Sequence, residues 1–529
     1  MKDYAGPDWA ALGGMTVPAL MAFRARRQPT ALALSAPSWR GYRDRLSYAH
    51  LDLYGRRIGA GLAALGVEKG QRVAIYLDNA AAREAVLTAL GCFAIGAVAV
   101  PFNTRAADPE IAHALALTKP SAVVTISAAA ERLRGLGAPH LVLLDAADEA
   151  QCWPEPTVTH IDPVAETVIE PGDLACLLFT SGTTGRSKAV MHTHRSMLAT
   201  GFSSGVILDL GPQDIYQGAF PFFTSSCLNI GCMAPWVHGA GFVTEPALTT
   251  SQRLRLIESE CTTVYHGVPS ILQFMLDEAE GGAYGLRRVR RLAYGGAAMP
   301  AATIARIAAV WPWMEQVHGW GLSESGPCGA WLPPDRLPEK AGSVGKAMPN
   351  CELRLIDELG APVPDGQPGE LCFRGPSMSM GYYDDPVATA ETFRDGWLHS
   401  GDIFIKGEDG LLRFVDRKKD VINRGGIKVS SAMVEEALYR IPGVSEAAAV
   451  AVPHPRLGEA VAACLVLADG IRPDTESMVD RCRGLLADYE MPRHWFFFDE
   501  MPRNPMGKIL KRDLRQKVLR RMDSEETNA

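Results

Sequence analysis

Disulfide chemistry is the first thing for which the sequence leaves no room. Its eleven cysteines are an odd number, none stand in Cys-x-x-Cys spacing, and the closest two, Cys227 and Cys232, are five positions apart. That suits neither a zinc knuckle nor a dithiol redox centre, and reduced core cysteines of a cytoplasmic protein are expected. No stretch reaches the roughly 20 apolar residues that a membrane-spanning helix needs. The nearest approach, Ala85 to Val100, is uncharged and mostly apolar, but Gly91, Gly96 and Pro101 favour a buried helix followed by a buried strand. Met1-Lys2-Asp3-Tyr4-Ala5-Gly6-Pro7 has no apolar h-region, so no export signal is expected. Positive charge is not in excess either. A formal net charge of −7 offers no global attraction to nucleic acid or anionic lipid, so any polyanion must be met by local groups. A GxGxxG turn, a solenoid-period repeat and a low-complexity tract are also missing, which removes the dinucleotide-binding and repeat architectures.

What is present is a chain of 529 residues, 47% hydrophobic and 21% charged, long enough for roughly three to four folding units. Apolar positions recur at helical spacing in Asp52–Leu65 and are followed by the strand-like Val73–Leu77. Ala122–Ile126 ends a similar unit. This rhythm predicts an α/β fold with a largely parallel sheet. Between 351 and 417 the runs Leu353–Asp357, Glu370–Arg374 and Leu411–Val415, separated by Gly, Pro and Asp turns, read as a β subdomain. At Lys418-Lys419-Asp420 the chain changes character. Beyond it come a helix at Ser431–Arg440 with Met433, Val434, Ala437 and Leu438 on one face, strands at Val444–Val452, Ala460–Leu467 and Trp495–Phe498, and helices within Asp474–Asp488 and from Lys511. The expected division is a large domain over 1–417 and a small α+β domain over 418–529, about 110 residues that suffice to fold independently.

One stretch carries chemistry on its face. Leu177-Leu178-Phe179 ends a strand and runs into Thr180-Ser181-Gly182-Thr183-Thr184-Gly185-Arg186-Ser187-Lys188, with strand-like Ala189–His192 behind it. Glycines let backbone N–H groups converge on an anion, hydroxyls add neutral donors, and Lys188 supplies the counter-charge. Gly185 and Lys188 are not adjacent, so this is no helix-opening phosphate loop but a hairpin loop between two strands.

The stretch resembles the signature of the adenylate-forming family: acyl- and aryl-CoA synthetases, luciferases and peptide-synthetase adenylation domains. The family usually has Pro at Ser187 and Gly at Ala189. The resemblance runs from about Thr16 to Arg515 with the motifs in the family's order, and it implies a mobile C-terminal domain. Gly295-Gly296-Ala297-Ala298 is similar to the adenine-contacting turn, and Trp320-Gly321-Leu322-Ser323-Glu324 to the family's Tyr-Gly-x-Thr-Glu, with Glu324 implied as the magnesium ligand. Asp402 matches the ribose-gripping carboxylate, Arg417 the arginine near ribose and phosphate, Lys419 the hinge, and Gly426 the glycine of the coenzyme A tunnel. Lys508 matches the mobile catalytic lysine, which with Thr180, Lys188 and Glu324 forms the implied catalytic set. Phe222, Phe223, Thr224, Tyr265, His266, Tyr294 and Leu322 are the candidate acyl pocket, mainly apolar, with Thr224 standing where the family often has His. No acid lies between Ala219 and Pro235, which disfavours an amine-bearing substrate. Ser431 and Met433 replace the family's usual Pro and Glu.

The implied activity is an ATP-dependent acid–CoA ligase that uses Mg²⁺, makes an acyl-adenylate from a hydrophobic fatty or aryl carboxylic acid, and passes the acyl group to coenzyme A. A homodimer is compatible with it. A carrier-protein thiol or an amine as acceptor, and a nucleotide-binding protein without turnover, stand as alternatives.

Overall fold

The computed structural model describes residues 7–146, 152–154, 167–180, 186–280, 286–297, 299–468, 470–471, 474–503 and 509–527. The chain forms two compact units, residues 1–353 with 372–399, and residues 354–371 with 400–529.

The first unit contains two sheets. In one, the strands run in the spatial order His140–Leu143, Ala122–Thr125, Arg72–Ile75, Val98–Pro101, Leu174–Thr180 and Lys188–Thr193. The first five are parallel and the last returns antiparallel. The uncharged stretch at 85–100 is the buried helix Ala82–Ala94 followed by the buried strand Val98–Pro101, as its composition predicts. In the other sheet, Leu32–Pro37, Gly241–Thr244, Ile215–Gly218, Val264–Gly267, Arg291–Gly295 and Glu315–Gly321 are parallel neighbours, and Gly329–Leu332 and Ser343–Ala347 continue it antiparallel. Parallel strands need crossovers, and their helices fill the faces. One such helix, Tyr48–Ala64, starts where the Ser47 hydroxyl accepts from the His50 backbone N–H, satisfying a donor that the first turn would leave open.

In the second unit Val444–His454 and Gly458–Leu467 form a long antiparallel pair, with His494–Phe497 added in parallel. The helices Ser431–Tyr439 and Thr475–Arg483 contribute to one apolar cluster, and the helix Lys511–Thr527 packs Leu514 and Val518 into a second. Val434, Ala437 and Leu438 are buried as their spacing predicts, but Met433 is 50% exposed, because the buried stripe is centred on Val434, Ala437, Leu438 and Ile441 and Met433 falls at its edge, roughly a quarter-turn from that centre.

All eleven cysteines are free thiols. No helix among the described residues is long and apolar enough to cross a membrane.

Three histidines of the first unit, His192, His194 and His238, are buried, and burial lowers each to about pKa 4. The unfolded chain titrates near the ordinary value of about 6.5. A pKa depressed in the folded state means that stability is intact above the unfolded value and is lost as the pH falls from about 6.5 toward 4. Three such groups give a limiting slope of about 4 kcal/mol per pH unit. The urea midpoint of the first unit is therefore expected to fall steeply between pH 7 and pH 5 with unchanged m-value. A midpoint independent of pH in that window would mean that these imidazoles accept protons without unfolding.

Candidate nucleotide and acyl-adenylate site

The predicted phosphate loop lies between two paired antiparallel strands. Thr180 ends one strand and pairs directly with Lys188, which starts the next. Residues 175–178 are buried in the parallel sheet, so the base of the hairpin is rigid. Ser181, Gly182, Thr183, Thr184 and Gly185 lie outside the described residues. On the far shoulder the Ser187 carbonyl accepts from His113 Nε2 at 3.0 Å, a contact from the helix Asp108–Thr118 that no pattern within the loop reveals.

Glu324 sits in a short 3₁₀ turn, Ser323–Ser325, at the end of the strand Glu315–Gly321. Its carboxylate is half-buried, and Oε1 accepts from the Tyr382 hydroxyl at 2.8 Å. The face of that phenol carries the Lys188 ammonium, with Nζ 4.6 Å from the ring centroid. The strand-docked segment around 379–383 thus connects the hairpin to the Glu324 turn. Tyr382 N–H donates to Thr389 Oγ1 at 2.9 Å, and Ser379 N–H donates to the Glu324 carbonyl at 2.8 Å.

Beside this turn, Gly295 pairs in parallel register with Gly319. A Cβ on Gly295 would lie 2.5 Å from the Gly319 carbonyl oxygen, so only glycine allows the two strand ends to approach this closely. Gly296 and Ala297 follow, exposed, and Trp320 and Gly321 complete the neighbouring strand, half-buried. A flat group could lie against this bare backbone. Ala298 lies outside the described residues.

The candidate acyl residues divide. Phe222 is buried, and its N–H donates to the Asn79 side-chain oxygen at 2.8 Å, while the Asn79 amide donates to the carbonyls of Phe220 and Glu245. Asn79 therefore fixes this turn from 141 positions away. Thr224 acts locally, since its hydroxyl donates to the Pro221 carbonyl at 2.7 Å and accepts from the Cys227 N–H at 3.2 Å. A π-helix, Ser226–Cys232, follows directly, a form that concentrates at functional sites. Phe223, Leu322 and His266 are half-buried. His266 meets Phe220 edge to face with centroids 4.7 Å apart, and its Nδ1 lies 2.9 Å from the Tyr216 hydroxyl. Tyr265 and Tyr294 are core residues at 0% and 1% exposure in the cluster with Leu272, Leu292 and Ile307. Alternation along a strand sends Tyr265 to that packed side and its neighbour His266 to the other.

In the second unit Asp402 is buried and pairs across two antiparallel strands with Arg417, whose Nε is 3.8 Å from Oδ1. Lys419 follows on an exposed turn. Gly426 closes a two-residue hairpin with Gly425, with φ of 90° and 63°, the left-handed pair that such a turn requires. Ser431, in place of the family's proline, uses both of its donors: N–H to Asp416 Oδ2 at 2.5 Å and Oγ to the same oxygen at 2.8 Å, while Lys511 Nζ donates to Oγ at 2.7 Å. Lys508 lies outside the described residues.

Among the described residues no three His, Cys, Asp or Glu side chains gather into a metal cage. Glu324 nonetheless fits Mg²⁺, because one carboxylate oxygen is engaged by Tyr382 and, among the described residues, no partner engages the other. Mg²⁺ usually takes one or two carboxylates and completes its shell with water and nucleotide phosphate.

The His113 contact generates a direct expectation. His113→Ala removes one hydrogen bond worth about 1 kcal/mol from the shoulder of the loop, so ATP should bind roughly 5-fold more weakly, with the thermal midpoint nearly unchanged. Unaltered ATP affinity by calorimetry would show that the loop does not use this tether.

Comparison with known proteins agrees with this geometry. The AMP-binding enzyme profile matches residues 21–383, and that of the AMP-binding enzyme C-terminal domain matches 433–508. A feruloyl-CoA synthase of Amycolatopsis sp. is 34% identical over 93% of this chain and 97% of its own. A long-chain-fatty-acid–CoA ligase of Mycobacterium tuberculosis is 33% identical over 89% and 93%. The o-succinylbenzoate CoA synthetase of Bacillus subtilis, solved with its acyl-adenylate intermediate, superposes with a TM-score of 0.85 at 26% identity, over 94% of this chain and 98% of that one; the same enzyme with ATP and a magnesium ion gives 0.82. The chain belongs to the AMP-binding enzyme family and, within it, to the acid–CoA ligases.

Proposed function

We propose that the acid is a hydrophobic fatty or aryl carboxylic acid, activated as its acyl-adenylate and transferred to coenzyme A by the residues described above. The observation that carries this reading is the convergence, within one unit, of the Thr180–Lys188 hairpin base, the Glu324 carboxylate and the bare strand ends at Gly295 and Trp320. A substrate carboxylate oxygen attacks the α-phosphorus of ATP, the bond from that phosphorus to the bridging α–β oxygen breaks, and pyrophosphate leaves with the bridging oxygen. Negative charge builds on phosphate oxygens, so positioning and electrostatic stabilisation carry the rate and no nucleophilic side chain is required. Loop N–H groups, the hydroxyls of Thr180 to Thr184 and Lys188 meet that charge. Mg²⁺ bound with the nucleotide would neutralise phosphate charge beside Glu324.

Purine is assigned to the slot from Gly295 to Ala298 with Trp320, and ribose to Asp402 and Arg417. Lys508 is the cation of the first half-reaction. The C-terminal domain, 418–529, then turns about Lys419 and admits the thiol past Gly426. For the acyl group, half-exposed Phe223 and Leu322 offer apolar contact and His266 one polar atom. Burial lowers His266 to about pKa 4, so its imidazole is neutral at physiological pH and suits an uncharged tail. The free thiols fit a reducing cytoplasm, where ATP and coenzyme A are both at hand.

ATP-dependent pyrophosphate release, measured across fatty, aryl and branched acids with and without coenzyme A, tests this reading. Sustained release only with coenzyme A, on apolar acids, is the expected result. Release indifferent to coenzyme A would move the acceptor to another thiol or an amine. Lys508→Ala should lower adenylation by on the order of 10²–10³; wild-type pyrophosphate release by that variant would remove Lys508 from the first step.

A further inference from the structure

The two charged side chains assigned to phosphate and metal, Lys188 and Glu324, share a single neighbour. Among the described residues no carboxylate pairs with Lys188; its ammonium lies over the Tyr382 ring at 4.6 Å, and the hydroxyl of that ring donates to Glu324 Oε1 at 2.8 Å. A lysine and a glutamate within reach of one aromatic side chain are also close enough to attract each other strongly in a half-buried setting. Direct pairing would engage the cation needed by phosphate and the carboxylate needed by metal. An interposed phenol gives each charge a separate, weaker partner: a ring face for the cation and a neutral donor for one carboxylate oxygen.

The ring is itself held firmly. Tyr382 bridges Val190 on the hairpin's second strand, Tyr383 N–H donates to the Ala189 carbonyl at 2.8 Å, and Met191 N–H donates to the Gly381 carbonyl at 3.0 Å. Phe393 packs edge-on at 6.1 Å, and Tyr382 is 7% exposed. On the other side Ser377 Oγ donates to the Ser325 carbonyl at 2.8 Å, and Ser379 N–H to that of Glu324. Residues 377–383 are thus a brace between the hairpin and the metal-ligand turn.

We propose that Tyr382 is a positioning residue for adenylation: its ring holds Lys188, its hydroxyl aims Glu324, and it keeps the two from pairing until MgATP takes both. This rests on the phosphate and metal roles assigned to Lys188 and Glu324, and the experiment separates the two ideas. Full-length wild type, Tyr382→Phe, Tyr382→Leu, Glu324→Gln and the double variant Tyr382→Phe/Glu324→Gln are compared by calorimetric binding of ATP with and without Mg²⁺, by the Mg²⁺ dependence of pyrophosphate release, and by thermal unfolding. Tyr382→Phe keeps the ring and loses the hydrogen bond to a charged group. Its Mg²⁺ half-saturation should rise about 10-fold and its MgATP binding should weaken, with metal-free ATP binding unchanged. Tyr382→Leu should in addition weaken metal-free ATP binding by roughly 5-fold. The double variant should be no worse than Glu324→Gln. Wild-type Mg²⁺ dependence in Tyr382→Phe, or additive losses in the double variant, would overturn the proposal for Tyr382. Wild-type MgATP binding and Mg²⁺ dependence in Glu324→Gln would remove the metal role of Glu324, and the proposal with it. Because Tyr382→Phe retains the packing of the ring, its reading survives even if Tyr382→Leu does not fold.

Discussion

A stretch proposed to hold phosphate needs fixed ends. The pairing of Thr180 with Lys188 meets that constraint, and much of the first unit serves it. The incoming strand is buried in a parallel sheet, the outgoing strand is lined by the 379–383 brace, and His113 holds the shoulder at Ser187. Lys188 is placed by its register at the hairpin base, so its charge stays at the mouth of the loop.

Several residues that differ from the usual family signature have found other partners. Ser187 lacks the stiffness of proline, and its carbonyl is restrained from outside by an imidazole. Thr224 replaces a histidine and caps the turn that leads into a π-helix. Ser431, free of the proline ring, gives both N–H and hydroxyl to Asp416, the residue next to Arg417, and accepts from Lys511. Met433 has no such role and is exposed. The departures preserve local order by hydrogen bonds where covalent stiffness or an imidazole is usual, which is consistent with an active acid–CoA ligase.

The molecule is acidic overall, yet its reaction handles a polyanion. Total charge does not fix the local one: Lys188 at the hairpin in the first unit and Arg417 opposite Asp402 in the second are cations placed by strand register, each partly buried. Net charge says nothing about such a site, because fields at a few ångströms are set by the nearest groups and those beyond a Debye length are screened.

Features with a local cause were legible in the order of residues alone. Helical and strand periodicity, turn chemistry and composition specified the parallel sheets, the buried helix at 82–94 and the pairing of the two strands that flank the Thr180–Lys188 stretch, since each depends on neighbours a few residues away. The motif order specified the family. Which side chains meet was settled instead by packing over long separations. Tyr382 reaches Glu324 across 58 positions, His113 reaches Ser187 across 74, and Asn79 reaches Phe220 across 141; none stands in a pattern that marks it. The same packing sent Tyr265 and Tyr294 into the core and left His266 on the opposite side. A strand's alternation is written in the sequence, but which of its faces meets a core and which meets a ligand depends on what the rest of the chain brings alongside.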